Sequence, residues 1–108
     1  MNDLWREQAF NLFLDGKSLF EIHAVLGNTE GSTTVTLAVV VREIEEQLKW
    51  MFGGINETAE RELSVVLVEI LHELNLTDEA SRTLQRKCIE RRCLAVSRIK
   101  AALGMDDG

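Results

Sequence analysis

The sequence predicts an all-α fold, a compact bundle of about five helices forming a single domain over residues 1–108. Three observations lead to this prediction. The chain contains no proline, a residue that costs about 3 kcal/mol inside a helix. Glycines divide it into segments in which apolar residues recur at steps of three and four. With 45% hydrophobic and 28% charged residues, a chain of this length can bury one core without metal or disulfide support.

The first two predicted helices span residues 3–15 and 19–26 and form an orthogonal pair. Gly16 is expected to end the first helix, because glycine adopts the left-handed conformation that often terminates a helix. Ser18, followed by Glu21 three residues later, is a capping box. In this motif each side chain accepts a hydrogen bond from the backbone N–H of the other residue.

The segment GSTTVTLAVVVREIEEQLKWM, residues 31–51, begins like a strand and ends like a helix. Its apolar residues nevertheless follow steps of four and three, which is a heptad pattern. These residues are Leu37, Val41, Ile44, Leu48 and Met51. We predict one helix over residues 33–52, capped by Ser32 or Thr33. The alternative is a strand over residues 33–41, paired with the later segment LSVVLVEI.

The last two predicted helices span residues 57–75 and 79–103. The expected buried face of the earlier one consists of Leu63, Val66, Leu67, Ile70, Leu71 and Leu74. The expected buried face of the later one consists of Leu84, Cys88, Ala95, Ile99, Ala102 and Leu103. Asn75 is expected to end the earlier helix in the left-handed conformation, and Thr77 or Asp78 to cap the later one.

The third and fourth predicted helices carry a second set of apolar residues opposite their expected buried faces. A small domain has difficulty covering both sides of two helices, and exposed apolar patches mark interaction sites. We therefore predict a protein interface, in a homodimer or with a target protein. The alternative is that one helix is the centre of the core. The residues of this predicted interface are Val39, Trp50, Val65, Val68 and His72.

The charge of the chain is unevenly distributed. The net charge is −6, yet residues 82–100 carry seven basic residues and one acidic residue. Arg92 lies within the expected buried stripe, where an unpaired charge is costly. Either its side chain reaches solvent or it pairs with a carboxylate of another helix or subunit, so Arg92 joins the predicted interface. We expect the other cations to face acids of the two preceding helices; a phosphate backbone is the alternative.

Residues 5–45 resemble a helix-turn-helix module. The segment AFNLFLDGKSLFEIHAVLG contains an apolar helix, a glycine turn and a short capped helix. It is similar to the first two helices of homeodomain-like and resolvase-like DNA-binding proteins, and this resemblance implies that the next helix reads DNA. That helix departs from the pattern, because it begins TTVTLAVVV and its first basic residue is Arg42. Recognition helices present Arg, Lys, Asn, Gln or Ser to DNA.

The sequence contains no pattern typical of a catalytic or metal site. His23 and His72 belong to no HExxH motif. Cys88 and Cys93 are five residues apart on one predicted helix, which separates their Cα atoms by roughly 8–9 Å and prevents a disulfide. We predict no catalytic, cofactor-binding or metal-binding residues, and we do not expect an enzyme.

The expected function is regulation by protein–protein contact, as an adaptor or inhibitor of another protein. Compact acidic helical proteins of this size are common in bacterial and phage genomes, anti-activators of transcription factors among them; the analogy is one of size and class. The N-terminal segment MNDLWREQ is not a leader and no apolar run approaches a membrane span, so we expect a cytoplasmic protein. The alternative function is a helix-turn-helix DNA-binding transcriptional regulator.

Overall fold

The structure is a computed structural model that describes residues 4–27, 35–76 and 82–105. Its helices are α1 (Leu4–Leu14), α2 (Leu19–Gly27), α3 (Leu37–Phe52), α4 (Glu57–Leu74) and α5 (Arg82–Ala102). The described residues are 83% helical and contain no strand. The all-α prediction is therefore confirmed. The alternative of a strand over residues 33–41 is wrong for its described part, since α3 begins at Leu37.

Backbone contacts divide the chain into two units, Met1–Gln47 and Leu48–Gly108. The predicted single domain over residues 1–108 stays a prediction. In the first unit the buried apolar residues are Ala9, Phe10, Phe13, Leu19, Ile22, Leu26, Val40, Val41 and Ile44. In the second unit they are Leu48, Phe52, Ala59, Leu63, Val66, Ile70, Cys88, Ala95, Val96 and Ile99.

The turn between α1 and α2 has the conformation that its sequence predicts. Gly16 has a φ of 87°, which a residue with a side chain rarely adopts. The Gly16 N–H donates to Phe13 O and the Lys17 N–H to Leu12 O, both at 3.1 Å, which is a Schellman end.

The capping box of α2 is confirmed. The Ser18 N–H donates to Glu21 Oε1 at 3.1 Å, and the Glu21 N–H donates to Ser18 Oγ at 3.0 Å. The hydrogen bond from the Ser18 backbone lowers the pKa of the Glu21 carboxyl below its ordinary value. The cap therefore fixes the point at which α2 begins.

The start of α3 differs from the prediction. Val35 and Thr36 precede the helix, so a helix beginning at residue 33 is wrong. The Val39 N–H donates to Thr36 Oγ1 at 3.2 Å, and the Val40 N–H donates to Thr36 O at 3.0 Å. Thr36 is thus the cap, and its hydroxyl offers the backbone an alternative to a further helical turn. The predicted caps, Ser32 and Thr33, lie outside the described residues.

The predicted start of α4 at residue 57 is confirmed, whereas its predicted end is wrong. Asn56 caps its start in an extended conformation, and its side-chain oxygen accepts from the Ala59 N–H at 2.8 Å. Asn75, predicted to be left-handed, is right-handed with φ −87° and ψ −5°. Its N–H donates to His72 O at 3.2 Å, so the last turn tightens without a left-handed residue. The predicted caps of α5, Thr77 and Asp78, lie outside the described residues.

In the second unit α4 packs against α5, and the buried face of α4 is rotated from the predicted one. Glu69 and Glu73 are buried, whereas Leu71 is 57% exposed. With 100° per residue, the centre of the buried side of α4 is rotated about the helix axis by roughly 60° from the predicted centre. Leu84, predicted to be buried on α5, is 53% exposed. At that end Gln85 faces inward and donates to Leu76 O at 2.9 Å, which turns Leu84 outward.

Candidate interaction surfaces on α4 and α5

A buried ion pair joins the two helices of the second unit. Arg92 Nε donates to Glu73 Oε1 at 3.2 Å, and the two side chains are 1% and 0% exposed. The alternative in which Arg92 reaches solvent is therefore wrong. Its carboxylate partner lies on another helix of the same chain, so Arg92 contributes no exposed surface to the predicted interface.

Two further ion pairs lie along the same helices. Arg98 Nη1 is 3.8 Å from Glu62 Oε1, and Arg91 Nη1 is 3.9 Å from Glu69 Oε1. Glu69 lies seven residues after Glu62 in α4, whereas its partner Arg91 lies seven residues before Arg98 in α5. The two helices are therefore antiparallel. The glutamate side chains are 15% and 10% exposed and both arginines are 60% exposed. The expectation that the flanking cations of α5 face acids of α4 is confirmed for Arg91 and Arg98.

Glu69 is the centre of a small polar cluster. Its Oε1 lies 3.5 Å from His72 Nδ1, and Cys88 of α5 is close enough to feel its charge. Burial raises the pKa of the Cys88 thiol, and the neighbouring Glu69 carboxylate raises it further. Cys88 therefore stays protonated and is unsuited to act as a nucleophile. Within the described residues no three His, Cys, Asp or Glu side chains are grouped to hold a metal ion.

One side of α4 is exposed and largely apolar. Val65 is 38% exposed, Val68 is 46% exposed and Leu71 is 57% exposed, while the His72 side chain is 55% exposed. Steps of four, three and four residues separate Arg61, Val65, Val68 and His72 along the helix. This spacing is typical of a helix that packs along another helix. We call the five residues the α4 outer face. Leu71 was missed from sequence because the leucine pattern assigned it to the core.

A second exposed row runs along α5. Its residues follow one another in steps of three, four, three, four and three, and all of them are exposed. Leu84 and Leu94 are 53% and 52% exposed. We call this row the α5 stripe; it consists of Leu84, Lys87, Arg91, Leu94, Arg98 and Ala101. The cations of this row are evident in the sequence, and a heptad pattern sought among the polar positions as well as the apolar ones would also have shown their periodicity.

The two α3 residues of the predicted interface are exposed as well. Val39, in the first unit, is 43% exposed, and Trp50, in the second unit, is 85% exposed. Both lie opposite the heptad positions of α3, of which Val41, Ile44 and Leu48 are buried.

In the part of the chain that resembles a helix-turn-helix, Arg42, Glu43 and Glu46 of α3 form ion pairs. Arg42 Nε lies 3.4 Å from Glu46 Oε1 on the exposed side of α3. Arg6 Nε lies 3.1 Å from Glu43 Oε1 and joins α1 to α3. His23 Nε2 donates to Val35 O at 3.1 Å. The last two contacts join elements of the first unit, and the two glutamates balance the positive charges of Arg42 and Arg6.

Comparison of the chain with known protein families, with curated proteins and with solved structures finds no match. Among the described helices, none has both the length and the apolar character needed to cross a membrane.

Proposed function

We propose that this chain acts by protein–protein contact, as a non-enzymatic adaptor or inhibitor in the cytoplasm, and that it forms a homodimer through the α4 outer face. The observation that carries the proposal is that α4 exposes Val65, Val68 and Leu71 although its opposite side is already buried against α5. A contiguous exposed apolar row is typical of an interaction site.

The spacing of the α4 outer face suits a two-fold dimer. If two copies of α4 pair antiparallel about an axis between Val65 and Val68, each Val65 lies opposite the Val68 of the other copy. The valines then form the dry centre of the contact, and Arg61 and His72 lie at its two ends. One self-complementary patch is sufficient for such a closed assembly, and an apolar centre with a polar rim is the usual anatomy of an interface.

Sedimentation equilibrium of the full chain tests this proposal. At micromolar concentration we expect about twice the chain mass of 12.2 kDa. Val68→Glu places a charge at the centre of the contact and should shift the protein to monomer, with an unchanged far-UV circular dichroism spectrum. Val25→Glu is the matched control, because Val25 of α2 is also about half-exposed, at 42%. A wild type that sediments as a monomer would rule out self-association.

The helix-turn-helix regulator is the alternative function from the sequence. The net charge of −6 weighs against it, because an acidic protein repels the phosphates of DNA. The alternative therefore predicts duplex binding that weakens steeply with salt, whereas the proposed function predicts none at physiological salt.

A further inference from the structure

We propose that the α5 stripe binds an acidic amphipathic helix of another protein. This inference rests on the proposed function and names the partner chemistry for a second surface. The stripe, Leu84, Lys87, Arg91, Leu94, Arg98 and Ala101, contains two leucines, an alanine and three cations and no acid.

The spacing of the stripe fits a helix. Steps of three and four keep its residues on one side of α5 over 18 residues, a length of about 25 Å. A straight exposed row of this kind is the surface that a second helix packs along, its side chains seated between those of the first. Leu84 and Leu94 supply the apolar contacts near one end and near the middle of the row.

The cations of the stripe are suited to ion pairs with carboxylates of a partner. Arg91 and Arg98 each contact a glutamate of α4 through one nitrogen, at 3.9 and 3.8 Å. A guanidinium has five N–H donors, so each arginine retains donors for a second carboxylate. The glutamates also restrain the arginines before a partner arrives, which lowers the entropy lost on binding. Lys87 adds a third exposed cation on the same side.

A second copy of the same stripe is a poor partner. Antiparallel pairing of two α5 helices would place Lys87 opposite Arg98, and parallel pairing would place each cation opposite itself. Like charges brought together across an interface repel each other and suppress wrong partners. The stripe is therefore suited to a different chain, in contrast to the α4 outer face.

Nucleic acid is also less suited to the stripe. Leu84 and Leu94 interrupt the cations with apolar groups that a phosphate backbone does not need. An amphipathic helix uses both the leucines and the cations.

The test is a fluorescence anisotropy titration of labelled synthetic helices with the full-length protein. The first peptide has 21 residues, as many as α5, with leucines placed to face Leu84 and Leu94 and glutamates placed to face the three cations. The second peptide has lysine at the glutamate positions. A random DNA duplex of about 30 base pairs is the third probe. We expect the glutamate peptide to bind at least about tenfold more tightly than the lysine peptide and the duplex, and less tightly as salt rises.

Variants of adjacent residues localise the binding. Lys87→Glu should weaken the affinity for the glutamate peptide by about tenfold. Leu94→Ala should weaken this affinity as well. Arg86→Glu makes the same charge change one residue away, on another side of α5, and should have less than about a twofold effect. Circular dichroism establishes that each variant is folded. Equal binding of the two peptides, tighter binding of the duplex, or equal effects of Lys87→Glu and Arg86→Glu would overturn the inference. Any of these results would leave the Val68-dependent dimer unaffected, so the two proposals fail separately.

Discussion

At the residue scale, two polar pairs organise the helices: Ser18 with Glu21 at the start of α2, and Arg92 with Glu73 between α4 and α5. Ser18 and Glu21 are three residues apart in the sequence, so their reciprocal hydrogen bonds follow from spacing alone. Arg92 was recognised as a charge within a buried stripe, but its partner Glu73 is 19 residues away. Which glutamate faces Arg92 depends on the rotation of α4 about its axis, and the sequence does not determine that rotation.

The Glu73–Arg92 pair leads to a stability prediction. Arg92→Met leaves the Glu73 carboxylate buried without its cation, which should lower the free energy of unfolding by about 3–5 kcal/mol. Adding Glu73→Leu removes this buried charge and should restore a large part of the loss. Urea unfolding at pH 7 measures both values. A loss below about 1 kcal/mol for Arg92→Met would show that the pair is open to solvent.

At the element scale, the number and approximate bounds of the helices were predicted and the orientation of α4 was not. The heptad pattern of α3 identified a helix despite its β-branched start, and the structure buries Val41, Ile44 and Leu48 on one side. For α4 the pattern is less informative, because apolar residues surround the helix. The ion pairs with α5 turn Glu69 and Glu73 inward, and Leu71 consequently lies outside.

The rotation of α4 is tested by two neighbouring residues. Ile70 is fully buried and Leu71 is 57% exposed, although the leucine pattern assigned both to the core. Ile70→Ala should lower the free energy of unfolding by about 2–5 kcal/mol, because it leaves a cavity. Leu71→Ala should lower it by less than about 1 kcal/mol. Chemical denaturation of the two variants gives both values, and equal losses would support the orientation predicted from sequence.

At the scale of the whole molecule, composition established the fold class and the surfaces suggest the function. The second apolar side of α4 was predicted from residue spacing, since Val65, Val68 and His72 lie far from the leucine-rich side. The α5 stripe was not predicted, because its cations are equally compatible with ion pairs inside the chain. The spacing already placed Arg92 within the buried stripe, but the structure was needed to show that Arg91 and Arg98 are 60% exposed on one row with Leu84 and Leu94.

Affinity capture of the tagged full chain from its source organism, after nuclease treatment, is the most direct test of action by protein contact. Two matched double variants are compared with the wild type. Val68→Glu with Lys87→Glu alters both proposed surfaces, and Val25→Glu with Arg86→Glu makes the same chemical changes elsewhere. We predict a protein partner that the wild type and the control variant retain and the first variant loses. Capture of no protein, or of one that the first variant retains equally well, would contradict the account.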